Sequence, residues 1–165
     1  MAYTICNLDR MSGTEDSSLL VSLKYFDASD KEAAIENGSI VKIGDLLDGQ
    51  REVRKAVTPT ASDEIKDLVL VANPEVIYDE SRYHGLEEYI NEAGKVIRGY
   101  RFHSNDTFSV TKEAFSATPA KGKYATVGAS TKMGVSTTVS GTVIGKIVDV
   151  WTLGADTYYT IQVTL

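Results

Sequence analysis

The spacing of apolar and polar residues changes several times along this chain, and each change predicts an element. Residues 143–151 are almost continuously apolar, which predicts a strand buried on both faces. Residues 153–156 break the run, with Gly154 free to take a positive φ. Beyond the break, Tyr159, Ile161, Val163 and Leu165 alternate with Tyr158, Thr160, Gln162 and Thr164. That period of two predicts a half-buried strand. The two strands form a β-hairpin with a longer loop, and the C-terminus is expected to be tied into a sheet.

Earlier segments read the same way. Residues 2–6 are β-prone, and residues 7–18 are polar enough to be a loop or mobile arm. Residues 19–26 predict a strand with Leu19, Val21, Leu23 and Tyr25 on one face. After a turn at 27–30, Ser29 or Asp30 can cap a short helix through Glu36 that Asn37-Gly38 ends. Strands follow at 39–43 and 51–57, and residues 68–72 are apolar on both faces and must be central. Residues 83–93 carry Leu86, Tyr89, Ile90 and Ala93 at helical spacing, stopped by Gly94. Strands are then predicted at 96–102, where Gly99 marks a bulge or a close approach, and at 107–111 and 124–127. Residues 126–142 are either a loose loop or a polar strand pair with Val135 and Val139 inward, the strand being favoured from residue 138 onward.

The fold class is mainly β: a small β-barrel or sandwich with one or two short helices and an extended N-terminal segment. Residues 1–30 read as an N-terminal arm with the first strands, and 31–165 as a single β-rich domain. The length of 165 residues suits one domain, and no apolar run approaches a membrane span. No signal peptide is visible. The lone Cys6 excludes an intrachain disulfide and a thiolate metal cluster, and points to synthesis in a cytosol.

Charge narrows the partners. The net charge of −6 argues against nucleic acid. Residues 1–94 hold nine basic and nineteen acidic groups, whereas 95–165 hold eight basic and four acidic. The split reads as two differently solvated surfaces of one domain; the sharper reading is a basic C-terminal side that docks on an acidic partner or on the acidic side of a neighbouring copy.

Candidate chemistry is sparse. His84 and His103 could join Asp79 or Asp106 around a metal, since imidazole and carboxylate suit zinc; a surface histidine closing a strand is the competing reading. Asp79-Glu80 and Glu87-Glu88 are carboxylate pairs, but neighbours on a helix point in different directions. Cys6 has no base nearby in sequence. Gly122, Gly128 and Gly134 lack the phosphate-loop pattern. Trp151 reads as core packing rather than a sugar-stacking platform, and Tyr158 and Tyr159 point to opposite faces, so one should be exposed as an interface anchor. No catalytic, cofactor or metal residue is assigned, and the chain is not read as an enzyme.

Four stretches carry a resemblance: Ser39-Ile40-Val41, Leu68-Val69-Leu70-Val71-Ala72-Asn73-Pro74, Gly94-Lys95-Val96-Ile97-Arg98-Gly99-Tyr100 and Asn105-Asp106-Thr107-Phe108-Ser109-Val110-Thr111. Their order resembles small head proteins of tailed bacteriophages, the capsid decoration or cement proteins, over roughly residues 33–115. The resemblance implies a structural virion protein made in the host cytoplasm and bound to the capsid exterior. It also implies that the major capsid protein is the partner and that copies self-associate, trimers being frequent at local three-fold positions. The alternative is a carbohydrate- or receptor-binding β-module of a phage fibre or tail.

Overall fold

The computed structural model describes residues 2–76 and 85–165. The strands are β1 (Cys6–Arg10), β2 (Leu20–Phe26), β3 (Ile40–Leu46), β4 (Val53–Val57), β5 (Leu68–Val71) and β6 (Ile97–Arg101), then β7 (Thr107–Thr111), β8 (Tyr124–Gly128), β9 (Ser130–Ser136), β10 (Val143–Leu153) and β11 (Asp156–Val163). Strands account for 44% of the described residues, and helix among them is limited to single 3-10 turns, so the class is mainly β. Five strands close into a barrel in the order β2-β4-β3-β5-β6. Within it β2 and β4 run parallel and every other neighbouring pair is antiparallel. The other six form a sheet in the order β1-β7-β11-β10-β8-β9, which places the last strand of the chain near its centre.

Alternation of side chains fills two cores. Val21, Leu23, Val41, Ala56, Val69, Val71 and Ile97 meet inside the barrel, joined by Ile35 from the β2–β3 connection. The intervening residues Ile40, Leu68, Leu70 and Tyr100 join Phe108, Ile144, Ile147 and Ile161 of the six-stranded sheet in a second core. This explains why 68–71 is apolar at every position: one face lines the barrel, the other the junction with the sheet, and all four residues are buried. Gly99 marks a close approach, without a bulge. A Cβ there would lie 2.7 Å from Leu23 Cδ2 and 2.9 Å from Val69 Cγ2.

Several segments depart from their sequence-based expectation. The N-terminal region is no mobile arm. Residues 6–10 pair with β7, Met11 is 2% exposed, and Ser12 donates through N and Oγ to Asp106 Oδ1 at 2.9 and 2.6 Å. The boundary at residues 30 and 31 falls between β2 and β3, two strands of one barrel.

Neither predicted helix forms within the described residues. Asp27 Oδ1 instead accepts from Ser29 N at 2.8 Å and Lys31 N at 3.1 Å. Ile35 and Asn91 exchange backbone hydrogen bonds of 2.9 and 3.0 Å. A helix of this length is marginal by itself, so burying Ile35 and bridging to residue 91 outweigh local propensity. Residues 83 and 84 of the second predicted helix lie outside the described residues. From 85 onward only Leu86–Glu88 makes a 3-10 turn, and Tyr89 is already extended at φ −73° and ψ 130°.

In the Ser/Thr-rich region the strand lies at Ser130–Ser136, earlier than expected. Val139 is 70% exposed, while Val135 packs on the core. The final hairpin turns through a two-residue loop, Leu153 facing Asp156, with Gly154 at φ 62° in its first position. Glycine at that position lets the turn follow the twist of the strands.

Candidate interaction surfaces

β10 is the longest strand, and its neighbours are shorter than it is. β8 pairs with it only as far as Lys146, and β7 pairs with β11 only from Tyr158 to Gln162. At Thr152–Thr157 and Leu153–Asp156 the hairpin therefore has no third strand on either side among the described residues. Val148 is an extra residue, because Ile147 faces Ile161 and Asp149 faces Thr160. Such a bulge twists a strand and breaks its alternation. Residues 144, 145 and 147 are buried, but Val150 and Leu153 are 37% and 63% exposed, so the apolar run is not covered on both faces.

The aromatic residues of this hairpin are arranged differently from the sequence reading. Trp151 is half-buried outside the core and stacks on its cross-strand partner Tyr158, with centroids 4.5 Å apart and planes at 13°. Its Nε1 donates to Thr160 Oγ1 at 3.0 Å. Tyr158 is buried, and burial raises its phenol pKa, with Asp156 adding to the effect. Tyr159 is half-buried and meets Phe115 edge-on at 5.9 Å. Neither tyrosine is a free anchor; the exposed side chains of the tip are Val150, Thr152, Leu153 and Ala155.

The reactive candidates do not converge. His103 meets Asp106 through its backbone, N to Oδ2 at 3.0 Å, while its ring Nδ1 lies 3.2 Å from Ser104 O. Asp106 is buried and its carboxylate holds the N-terminal turn through Ser12. His84, Asp79 and Glu80 lie outside the described residues. Glu87 and Glu88 sit in one 3-10 turn. Burial, reinforced by Glu75 and Asp9, holds the Cys6 thiol well above its ordinary pKa, so it stays protonated at neutral pH. Gly122 is in a turn, whereas Gly128 and Gly134 belong to β8 and β9. Among the described residues, no group of three or more His, Cys, Asp and Glu is placed to hold a metal ion.

One feature escaped the sequence reading. β2 runs parallel to β4 and antiparallel to β6, and β3 runs antiparallel to β4. The starts of β2 and β4 and the ends of β3 and β6 therefore share one end of the barrel. There a cavity of about 570 Å³ is lined by Arg51, Arg54, Arg98 and Arg101. Leu20, Val21, Leu46, three serines and Glu52 complete the lining. Four of the six arginines in the chain thus gather in one place, two from the acidic half of the sequence and two from the basic half. Arg54 Nη1 donates to Gly44 O at 3.2 Å and Arg101 Nη1 to Lys66 O at 3.0 Å. Among the described residues no carboxylate, Glu52 included, forms an ion pair with any of the four. The guanidinium groups keep most of their donors available.

The fold and these two surfaces describe a mainly β protein with a hairpin tip that exposes Val150 and Leu153 and with an arginine-lined cavity. Comparison with family models, with curated proteins and with solved structures finds no match to this chain.

Proposed function

We propose that this chain is a structural virion protein, a decoration or cement protein that binds the outer face of a phage capsid and stabilises its capsomer contacts. The observation that carries the reading is the β10–β11 hairpin. It extends past both neighbouring strands and presents Val150 and Leu153 to solvent on a doubly cored β scaffold. A ribbon already paired as a hairpin has less backbone entropy to lose on docking than a disordered arm, so burial of Val150 and Leu153 is offset by a smaller ordering cost. The resemblance over residues 33–115 supports the same reading and supplies its partner, the major capsid protein. The chain, made in the host cytoplasm, stabilises the shell by mass action, binding the assembled form and self-associating around capsomer junctions.

Gradient fractionation of heads tests this. The protein is expected to co-sediment with full heads, and Val150→Asp with Leu153→Asp should cut its occupancy tenfold or more, with the melting temperature unchanged. A wild-type protein that stays in the soluble fraction would defeat the proposal. A second reading, a glycan- or receptor-binding module of a fibre or tail, is favoured by the half-exposed Trp151 stacked on Tyr158. Glycan-array binding lost in Trp151→Ala would select it.

A further inference from the structure

We infer that the arginine-lined cavity at one end of the barrel is a carboxylate-binding site for an acidic segment of a protein partner. The inference deepens the docking reading above and rests on it. Four guanidinium groups share one concavity of about 570 Å³ with no carboxylate paired to any of them among the described residues. Elsewhere on this chain cations are commonly neutralised: Lys24 pairs with Glu32, Lys42 with Asp63 and Lys121 with Asp149. Like charges gathered in one cavity repel one another, and the single Glu52 forms an ion pair with none of the four, so an incoming anion relieves that repulsion. Guanidinium forks pair with carboxylates through two parallel hydrogen bonds, which makes arginine suited to such a ligand.

The lining distinguishes between anions. The exposed Leu46 and the half-buried Leu20 stand beside the arginines and offer contact to the methylene stems of a peptide. Inorganic phosphate would leave that apolar part of the wall without a partner. A nucleic-acid backbone needs a basic track along many phosphates, whereas the positive charge here is confined to one cavity on a chain of net charge −6. Glu52 at the same wall sets a limit on how closely a second carboxylate can approach on its side. The sequence alone placed the basic surface across residues 95–165; the barrel instead draws Arg51 and Arg54 from the acidic half to meet Arg98 and Arg101.

Calorimetric titration of the whole chain with a synthetic hexaglutamate peptide tests the site. Inorganic phosphate and a short single-stranded oligonucleotide serve as rival probes. Saturable binding is expected that weakens as salt is raised. It should fall about tenfold or more in Arg51→Gln/Arg98→Gln and stay within about twofold in Lys121→Gln/Lys146→Gln, which removes the same charge from the turn before β8 and from β10. Arg51→Lys/Arg98→Lys keeps the charge but loses the forks, so it should still weaken binding and covers the case in which the glutamine variant fails to fold. No saturation, equal losses in the arginine and lysine pairs, or tighter binding of phosphate or oligonucleotide would overturn the inference. Head co-sedimentation of the same variants separates the two readings. If the arginine variant loads onto heads as wild type does, the site fails and the docking reading stands. If wild type binds the peptide but never loads, the site stands and the capsid reading fails.

Discussion

Gly99 shows how one missing side chain permits a five-stranded barrel to close. Its neighbours Leu23 and Val69 already occupy the space that a Cβ would take, and both belong to the barrel core. Gly99→Val is therefore expected to lower the unfolding free energy by about 1–3 kcal/mol through overpacking. Denaturant midpoints measure this, and a variant as stable as wild type would mean the barrel interior is looser than described. The sequence marked Gly99 as a bulge or a close approach, and the packing selects the second. It could not mark Arg51, Arg54, Arg98 and Arg101 as a group, because nothing local in two short arginine pairs tells which strand ends will meet.

At the scale of elements, the two segments that read as helices are replaced by a polar network. Asn37 Nδ2 donates to Asn73 O at 2.9 Å and to Glu75 Oε1 at 3.1 Å. Asn37 Oδ1 accepts from Asn73 N at 3.0 Å and from Asn91 Nδ2 at 2.9 Å. Asn91 also donates to Ile35 O at 3.0 Å, and both asparagines are buried. Burial raises the Glu75 pKa, and the Asn37 hydrogen bond opposes that rise. Because this amide is saturated on all sides, Asn37→Ala should cost about 2–3 kcal/mol by leaving buried partners unmet. Hydrogen exchange at residues 35 and 91 should accelerate with it. Unchanged exchange there would show that the network does not hold these segments. The helical spacing of Leu86, Tyr89 and Ile90 was a true pattern in the sequence, but contacts from distant segments decided the backbone.

Across the whole molecule, barrel and sheet are joined by a shared core and by polar ties. Lys42 on β3 meets Asp63 at 2.6 Å; Asp63 Oδ2 accepts from Thr60 N at 2.7 Å and its backbone O from Thr142 Oγ1 at 2.8 Å. The Lys42 hydrogen bond holds the Asp63 carboxyl below its ordinary value. A carboxyl depressed in the folded state contributes stability that is present above its unfolded pKa, about 4, and is lost as pH falls through the lower folded value. Lys42 has the opposite sign: its pKa is raised by the same bond, so its contribution is lost only as pH rises through that raised value. Asp63→Asn should therefore lower the melting temperature at neutral pH, with the gap to wild type closing as pH drops below about 4. A gap that persists undiminished in acid would assign the loss to packing rather than charge.

The period-two runs, the Gly and Pro breaks and the all-apolar stretch at 68–72 were enough to establish a mainly β chain and most strand positions, since alternation and turn chemistry are local properties. Pairing was not local. That β2 lies beside β4 and β6, that β11 enters the middle of the other sheet, and that β10 outruns its neighbours follow from which combination of faces buries the most apolar surface at once. The exposed hairpin tip and the arginine cavity are products of that choice. Strand ends far apart in sequence became neighbours only when the barrel closed.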